Sequence, residues 1–161
     1  MSVSIPRHVS GREPRLGHMK QQLHFVTVAA TDLDATRHFY GALGWTPLLD
    51  VEGEIIFYQS APGQVLGFFL ADKFNQDLAS PGDHAQVSGI TLAHNVETPK
   101  QVNELSSTMA GAGGTILKPP QPGQFGGVFH AHIQDPNGLI WEIAHNPGWR
   151  IDADGSVQLG G

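Results

Sequence analysis

A chain of 161 residues with 40% hydrophobic and 15% charged residues is large enough for one ordinary domain with a sizeable core and too apolar to remain disordered. It has no cysteine, which excludes disulfides, thiol nucleophiles and thiolate metal sites, so any metal would need histidine, carboxylate or water ligands. The formal charge of -6 is uneven: Arg7, Arg12, Arg15 and Lys20 against Glu13 give the first twenty residues +3 and leave -9 on the rest. That acidic body argues against a nucleic-acid partner, because phosphate affinity depends on clustered Lys and Arg.

No apolar run approaches the roughly 20 residues of a membrane span. With no secretory pattern in residues 1–20, a cytoplasmic protein without a membrane partner is expected. Residues 1–20 read as a flexible basic leader, either native or a cloning remnant ending near His18-Met19.

The elements then follow in an order that occurs twice. Leu23 to Ala30 reads as a strand, and Thr31-Asp32-Leu33-Asp34 opens a helix that Gly44 stops. Glu54 to Gln59 and Gln64 to Leu70 read as strands joined through Ala61-Pro62-Gly63 into a hairpin. A strand from Gly89 to Val96, a helix from Pro99 to about Ala112 and strands near 125–134 and 139–145 repeat the series. Such a repeat fixes which positions correspond and suggests a pseudo-twofold site.

In the first helix Asp32 or Thr31 supplies the N-cap, and Leu33, Thr36, Phe39, Tyr40 and Leu43 form a buried face. In the second, Thr98 caps, Pro99 occupies the first turn, Gln101 completes a capping box, and Val102, Leu105, Met109 and Ala112 form the stripe. Each unit therefore gives one sheet face to its helix and leaves the other to line a cleft.

Polar chemistry concentrates in the second unit. Asp135-Pro136-Asn137-Gly138 is a turn, so two strands should pair around it. His130 and His132 share a face, and Glu142 lies in an apolar run where an unpaired carboxylate is costly. Pairing residues whose numbers sum to 274 sets His132 across from Glu142, and a shift of one residue separates them. The trio has the ligand types of a two-His, one-carboxylate metal triad. Without metal it could serve as a general acid and base, and the plainest alternative is a His-Glu hydrogen bond that satisfies a buried carboxylate. His94 lies in the strand Gly89 to Val96, and His145 stands at a strand end.

These segments resemble the vicinal oxygen chelate superfamily, the glyoxalase, bleomycin-resistance and dioxygenase group. The resemblance spans about Leu23 to Trp149 and rests on the duplicated order, on Thr31-Asp32-Leu33 with His38-Phe39-Tyr40-Gly41-Ala42-Leu43-Gly44-Trp45, and on Asp135-Pro136-Asn137-Gly138 with Trp141-Glu142-Ile143. It implies an α+β fold of two βαβββ modules forming an incomplete barrel around a small-molecule cleft, commonly in homodimers. Module one is placed at about 23–78 and module two at about 86–147 of a single domain over 21–149, with 150–161 a C-terminal tail.

Metal-dependent members of the superfamily carry a His on the first strand of each module and a carboxylate or similar ligand on each last strand. Glu142 matches one of these positions. The first-strand positions fall on Phe25, beside His24, and near Thr91, while no His or carboxylate lies between Val65 and Ala71. No cofactor is therefore expected; a rebuilt site for Fe, Mn, Ni or Zn would draw on His24, His130, His132 and Glu142.

In fosfomycin-resistance relatives the position three before the turn Asp, here His132, contacts substrate. Phe25, Thr27, Phe68, Thr91, Phe129 and Trp149 are expected to line the cleft, with His132, Glu142 and His130 as the catalytic group. Two functions follow: a metal-independent protein that binds a hydrophobic or aromatic metabolite or drug, or an enzyme, whether lyase, isomerase, cyclase or dioxygenase. No phosphate loop opens a helix and no serine-hydrolase elbow is present.

Overall fold

The structure is a computed structural model that describes Met19 and residues 21–78, 82–124 and 126–159; the rest of the leader expected over residues 1–20 lies outside the described residues. Module one runs β1 (Phe25–Ala30), α1 (Leu33–Ala42), β2 (Leu49–Val51), β3 (Ile55–Ala61), β4 (Gln64–Leu70) and α2 (Ala71–Leu78). Module two runs β5 (Thr91–Asn95), α3 (Pro99–Gly111), β6 (Thr115–Pro122), β7 (Phe129–Gln134) and β8 (Ile140–His145). Each folds into a four-stranded sheet of the same topology, β1-β4-β3-β2 and β5-β8-β7-β6, whose first and last strands pair in parallel. This is the α+β, two-module architecture that the repeat implies.

Asp32, rather than Thr31, caps α1: its carboxylate accepts the Ala35 amide at 2.9 Å. Thr98 caps α3 in a full capping box with Gln101. The predicted stripes are buried in the structure apart from Leu43 and Leu105, which are half-buried against the core. Thr36, Phe39, Tyr40, Val102 and Met109 lie against sheet residues Ile56, Tyr58, Leu66, Phe68, Ala131, Ile133 and Ile143, all within one core that spans both modules. Burying each large apolar side chain contributes about 1.5–3 kcal/mol. Arg37 adds a surface tie from α1 to β2 through paired 2.7 Å contacts with Asp50, which hold the Asp50 carboxyl below the usual range.

Five elements were not evident from the sequence. β2 has only three residues, α2 follows β4 without a break, and β6 carries Pro119, Pro120 and Pro122 on a sheet edge, where lost donors are tolerated. The segment expected as a tail instead forms a hairpin of β9 (Trp149–Ile151) and β10 (Val157–Leu159). The strand expected from 125 begins only at Phe129, after Gly126 and Gly127 turn the chain with positive φ; residue 125 itself lies outside the described residues.

The modules are joined by the turn after β7. Asp135 accepts the amides of Asn137 and Leu139, each at 2.8 Å, and the hydroxyl of Tyr40 on α1 at 2.8 Å. Tyr40 in turn accepts the Trp141 indole N–H at 3.0 Å, and the Asn137 amide donates to Thr36 at 2.9 Å. Burial pushes the Asp135 carboxyl up, against the pull of these hydrogen bonds, and pushes the Tyr40 phenol well up.

Candidate active site on the open face of module two

Alternation sorts the side chains of β7 and β8. Ala131, Ile133, Trp141 and Ile143 face α3 and the core, so His130, His132 and Glu142 face the other, open side. His132 stands opposite Glu142, the pairing in which residue numbers sum to 274. The three side chains are 13%, 26% and 30% exposed, half-buried rather than solvated.

His130 Nδ1 lies 2.7 Å from Glu142 Oε1, and His130 Nε2 lies 2.9 Å from Lys118 Nζ. An ammonium can only donate, so Nε2 accepts and Nδ1 carries the proton given to Glu142. Both nitrogens of His130 are thereby engaged in a chain Lys118–His130–Glu142. His132 differs: its Nε2 is 3.9 Å from Glu142 Oε1, beyond hydrogen-bond reach, and its ring centroid is 5.3 Å from that of His130. Burial holds the His132 pKa below 6.5; Glu142 opposes that shift, while His130 and Lys118 reinforce it. That shift favours the neutral His132 imidazole at neutral pH.

Lys118 reaches this face because β6 slips register. Ile116 pairs with Ile133, Lys118 with His132 and Gln121 with His130, so the ladder shifts once on each side of Lys118. Without the first shift Lys118 would oppose Ala131 and point toward the core. Pro119 and Pro120, which donate no ladder hydrogen bonds, sit inside the second irregularity. The sequence reading missed Lys118; the run Lys118-Pro119-Pro120 was the available signal.

The other expected site residues divide between the two sides. Phe25 and Thr27 lie on the open side of module one, where Phe25 is 50% exposed and its ring meets that of Phe57 edge-on at 5.5 Å. Phe57, also missed, lies over Gly67: a Cβ at Gly67 would stand 3.0 Å from Phe57 Cδ1, so a side chain there would push the ring aside by a few tenths of an ångström. Thr91 is exposed on the open side of β5, across from Ile140.

Phe68 is a correction. It is fully buried on the helix side with its ring 4.8 Å from Tyr40, because strand parity pairs it with Val28 and Ile56. Phe129 is likewise on the side of Ala131 and Ile133, packed against the core. Trp149 lies with His145, Asn146 and Ile151 in a separate crevice. His24 precedes β1, exposed and outside the cluster. His94 points with Leu92 toward the helix side, lining a cavity with Trp45, Leu105 and Trp141, and His145 Nδ1 is 3.4 Å from the Val96 carbonyl.

For a divalent metal, the expected first-strand positions hold Phe25 and Thr91, and Gly67 occupies the place in β4 that Glu142 occupies in β8. Only Glu142 is a ligand there. His130, His132 and Glu142 do offer one donor each, all within 4.8 Å of one another, a candidate cluster confined to module two.

Comparison with known proteins agrees with this architecture. The family model of the Glyoxalase/Bleomycin resistance protein/Dioxygenase superfamily matches residues 22–143. A glyoxalase-related enzyme from Fulvimarina pelagi is 37% identical, with a TM-score of 0.79 over 88% of this chain and 100% of that one. Lactoylglutathione lyase from Agrobacterium tumefaciens superposes at 0.59 with 19% identity, covering 78% of this chain and 94% of its own. A fosfomycin resistance protein from Listeria monocytogenes, solved with Mn(II), does so at 0.59 with 16% identity, covering 80% and 92%. A search of curated protein sequences finds no match. From the family match, the 37% identity and the paired four-stranded modules, the chain belongs to the glyoxalase/bleomycin resistance protein/dioxygenase superfamily.

Proposed function

We propose that the protein is an isomerase- or lyase-type enzyme that moves a proton on a small carbonyl compound with a planar, hydrophobic body. The observation that carries this reading is the contrast inside the cluster: His130 is tied at both ring nitrogens, whereas His132 beside it makes no hydrogen bond among the described residues. If Glu142 needed only a partner, His130 alone would satisfy it; a second imidazole and a lysine exceed that need.

In this reading His132 takes a proton from the carbon next to the substrate carbonyl, and the electron pair of the broken C–H bond moves onto the carbonyl oxygen as an enolate. Glu142, held by His130, stabilises the imidazolium that forms on His132. The proton then returns to another carbon, or a group leaves from the neighbouring carbon as the enolate collapses. Phe25 and Phe57 supply the flat apolar surface for the body of the substrate.

The test is deuterium exchange into a panel of aryl ketones and α-keto acids, followed by proton NMR. Exchange above the buffer rate that is lost in His132→Ala supports the reading. Exchange that survives in both His132→Ala and Glu142→Gln refutes it.

A second reading, passive sequestration of a flat hydrophobic molecule, draws on the aromatic surface alone. It predicts ligand affinity that depends on Phe57 and is unaffected by Glu142→Gln. The partner in either case is proposed to be a second copy of the chain: Trp149, Ile151, Val157 and Leu159 share one exposed side of a two-stranded hairpin, a unit of marginal stability alone. Light scattering that gives a monomer at all concentrations would contradict this.

A further inference from the structure

The candidate metal cluster and the lysine beside it are in conflict. Two imidazoles and a carboxylate within 4.8 Å of one another suit a divalent cation. A cation bound there would need a His130 nitrogen, yet Nδ1 faces Glu142 at 2.7 Å and Nε2 faces the Lys118 ammonium at 2.9 Å. It would also stand close to a fixed positive charge. Among the described residues Lys118 forms no direct ion pair, so the carboxylate it balances is Glu142, on the far side of the His130 ring.

The placement of Lys118 is built into the strand. A register shift precedes it and another follows, and the first of them turns its side chain from the core to the open face. A lysine brought there by two irregularities in one short edge strand has its position specified by the backbone, not by a flexible stem alone.

We propose that Lys118 is the resident cation of this site: its ammonium fixes His130 in the Nδ1–H form and keeps divalent metal off the His130, His132 and Glu142 cluster. Lys118 is thus a positioning residue that holds Glu142 through His130 and leaves His132 as the imidazole of the cluster without a hydrogen bond among the described residues. The inference deepens the proton-transfer reading, but its two physical claims concern ring protonation and metal affinity, which can be measured without a substrate.

The experiment combines nitrogen-15 NMR of the histidine rings with titration of Ni2+ into chelator-free protein at neutral pH. The wild-type spectrum should show His130 protonated at Nδ1 and accepting at Nε2. Lys118→Met should bind Ni2+ about 10- to 100-fold more tightly than wild type, the scale on which neighbouring groups tune metal sites, and the gain should vanish when His132→Ala is added. Lys118→Arg, which keeps the charge, should resist the metal as wild type does.

A wild-type His130 protonated at Nε2, or wild-type Ni2+ affinity equal to that of Lys118→Met and dependent on His132, overturns the proposal. Because the tautomer is read in the wild type, a poorly folded Lys118→Met would not protect it. Failure of the deuterium-exchange test with the metal gain intact would remove the proton-transfer reading and leave this one standing. The converse result would do the opposite.

Discussion

The two modules share a backbone plan and differ at the same few positions. Thr27 in β1 and Ala93 in β5 each stand five residues before the N-cap of the following helix, Asp32 and Thr98, and pair in parallel with Gly67 and Glu142. Following the ladders outward, Phe57 corresponds to His132, Ile55 to His130 and Leu49 to Lys118. Thus Leu49, Ile55, Phe57 and Gly67 make an apolar surface in one half where Lys118, His130, His132 and Glu142 make a hydrogen-bonded polar cluster in the other. A duplicated scaffold has divided its labour, with one copy suited to hold a flat molecule and the other to handle protons.

The strongest way to break the contrast is to give module two the residue of module one. Glu142→Gly should lower deuterium exchange by roughly 10²- to 10⁴-fold, the usual weight of a positioned acid-base group, with folding monitored by circular dichroism; a smaller loss would place the chemistry elsewhere. Next in size is the joint between the halves. Asp135→Ala removes the acceptor of the Tyr40 hydroxyl, of the buried Leu139 amide and of the part-buried Asn137 amide. It should cost about 3 kcal/mol, seen as a lower urea midpoint.

The aromatic half is probed more gently. Gly67→Ala puts a methyl 3.0 Å from the Phe57 ring. It should displace that ring at a cost of about 1 kcal/mol and weaken binding of a flat fluorescent probe; unchanged affinity would argue that Phe57 does not touch ligands.

The smallest effect is on pH. With the His132 pKa held below 6.5 in the folded protein, the unfolded chain binds the proton more readily in the interval between the two values. Stability should therefore rise with pH through that interval, and the contribution of a neutral His132 should be lost as acid protonates it. Melting temperatures of wild type and His132→Gln should run parallel above pH 6.5 and diverge below it. Exchange activity should likewise persist to lower pH than an ordinary histidine would allow.

The repeat, both helix caps and both buried stripes were legible because each depends on local chemistry at short spacing. The His132–Glu142 pairing was legible as one of two registers, and the turn at Asp135 to Gly138 selected it. Which phenylalanine faces outward was not. Val65-Leu66-Gly67-Phe68-Phe69-Leu70 is apolar at every position, so no alternation marks the exposed side, and Phe68 belongs to the core. Phe129 stands one residue before His130, so the alternation that turns His130 and His132 outward turns it to the helix side whatever the start of the strand. Phe57 gained its role from a glycine on the neighbouring strand, a contact that no single segment displays.

The slips in β6 carry a further implication for how kinship to this protein should be judged. Removing Leu117 alone would take out the first slip and still leave Lys118 across from His132, whereas a chain that kept Leu117 but paired evenly beyond Ile116 would set Lys118 across from Ala131, facing the core, with the two histidines and the glutamate unchanged in the text of the gene. A homologue could match every polar letter and still have lost the arrangement, and another could keep the arrangement with different letters on either side. What is inherited at this spot is a phase, and a gap that preserves it is a smaller difference than an even ladder in which every letter is kept.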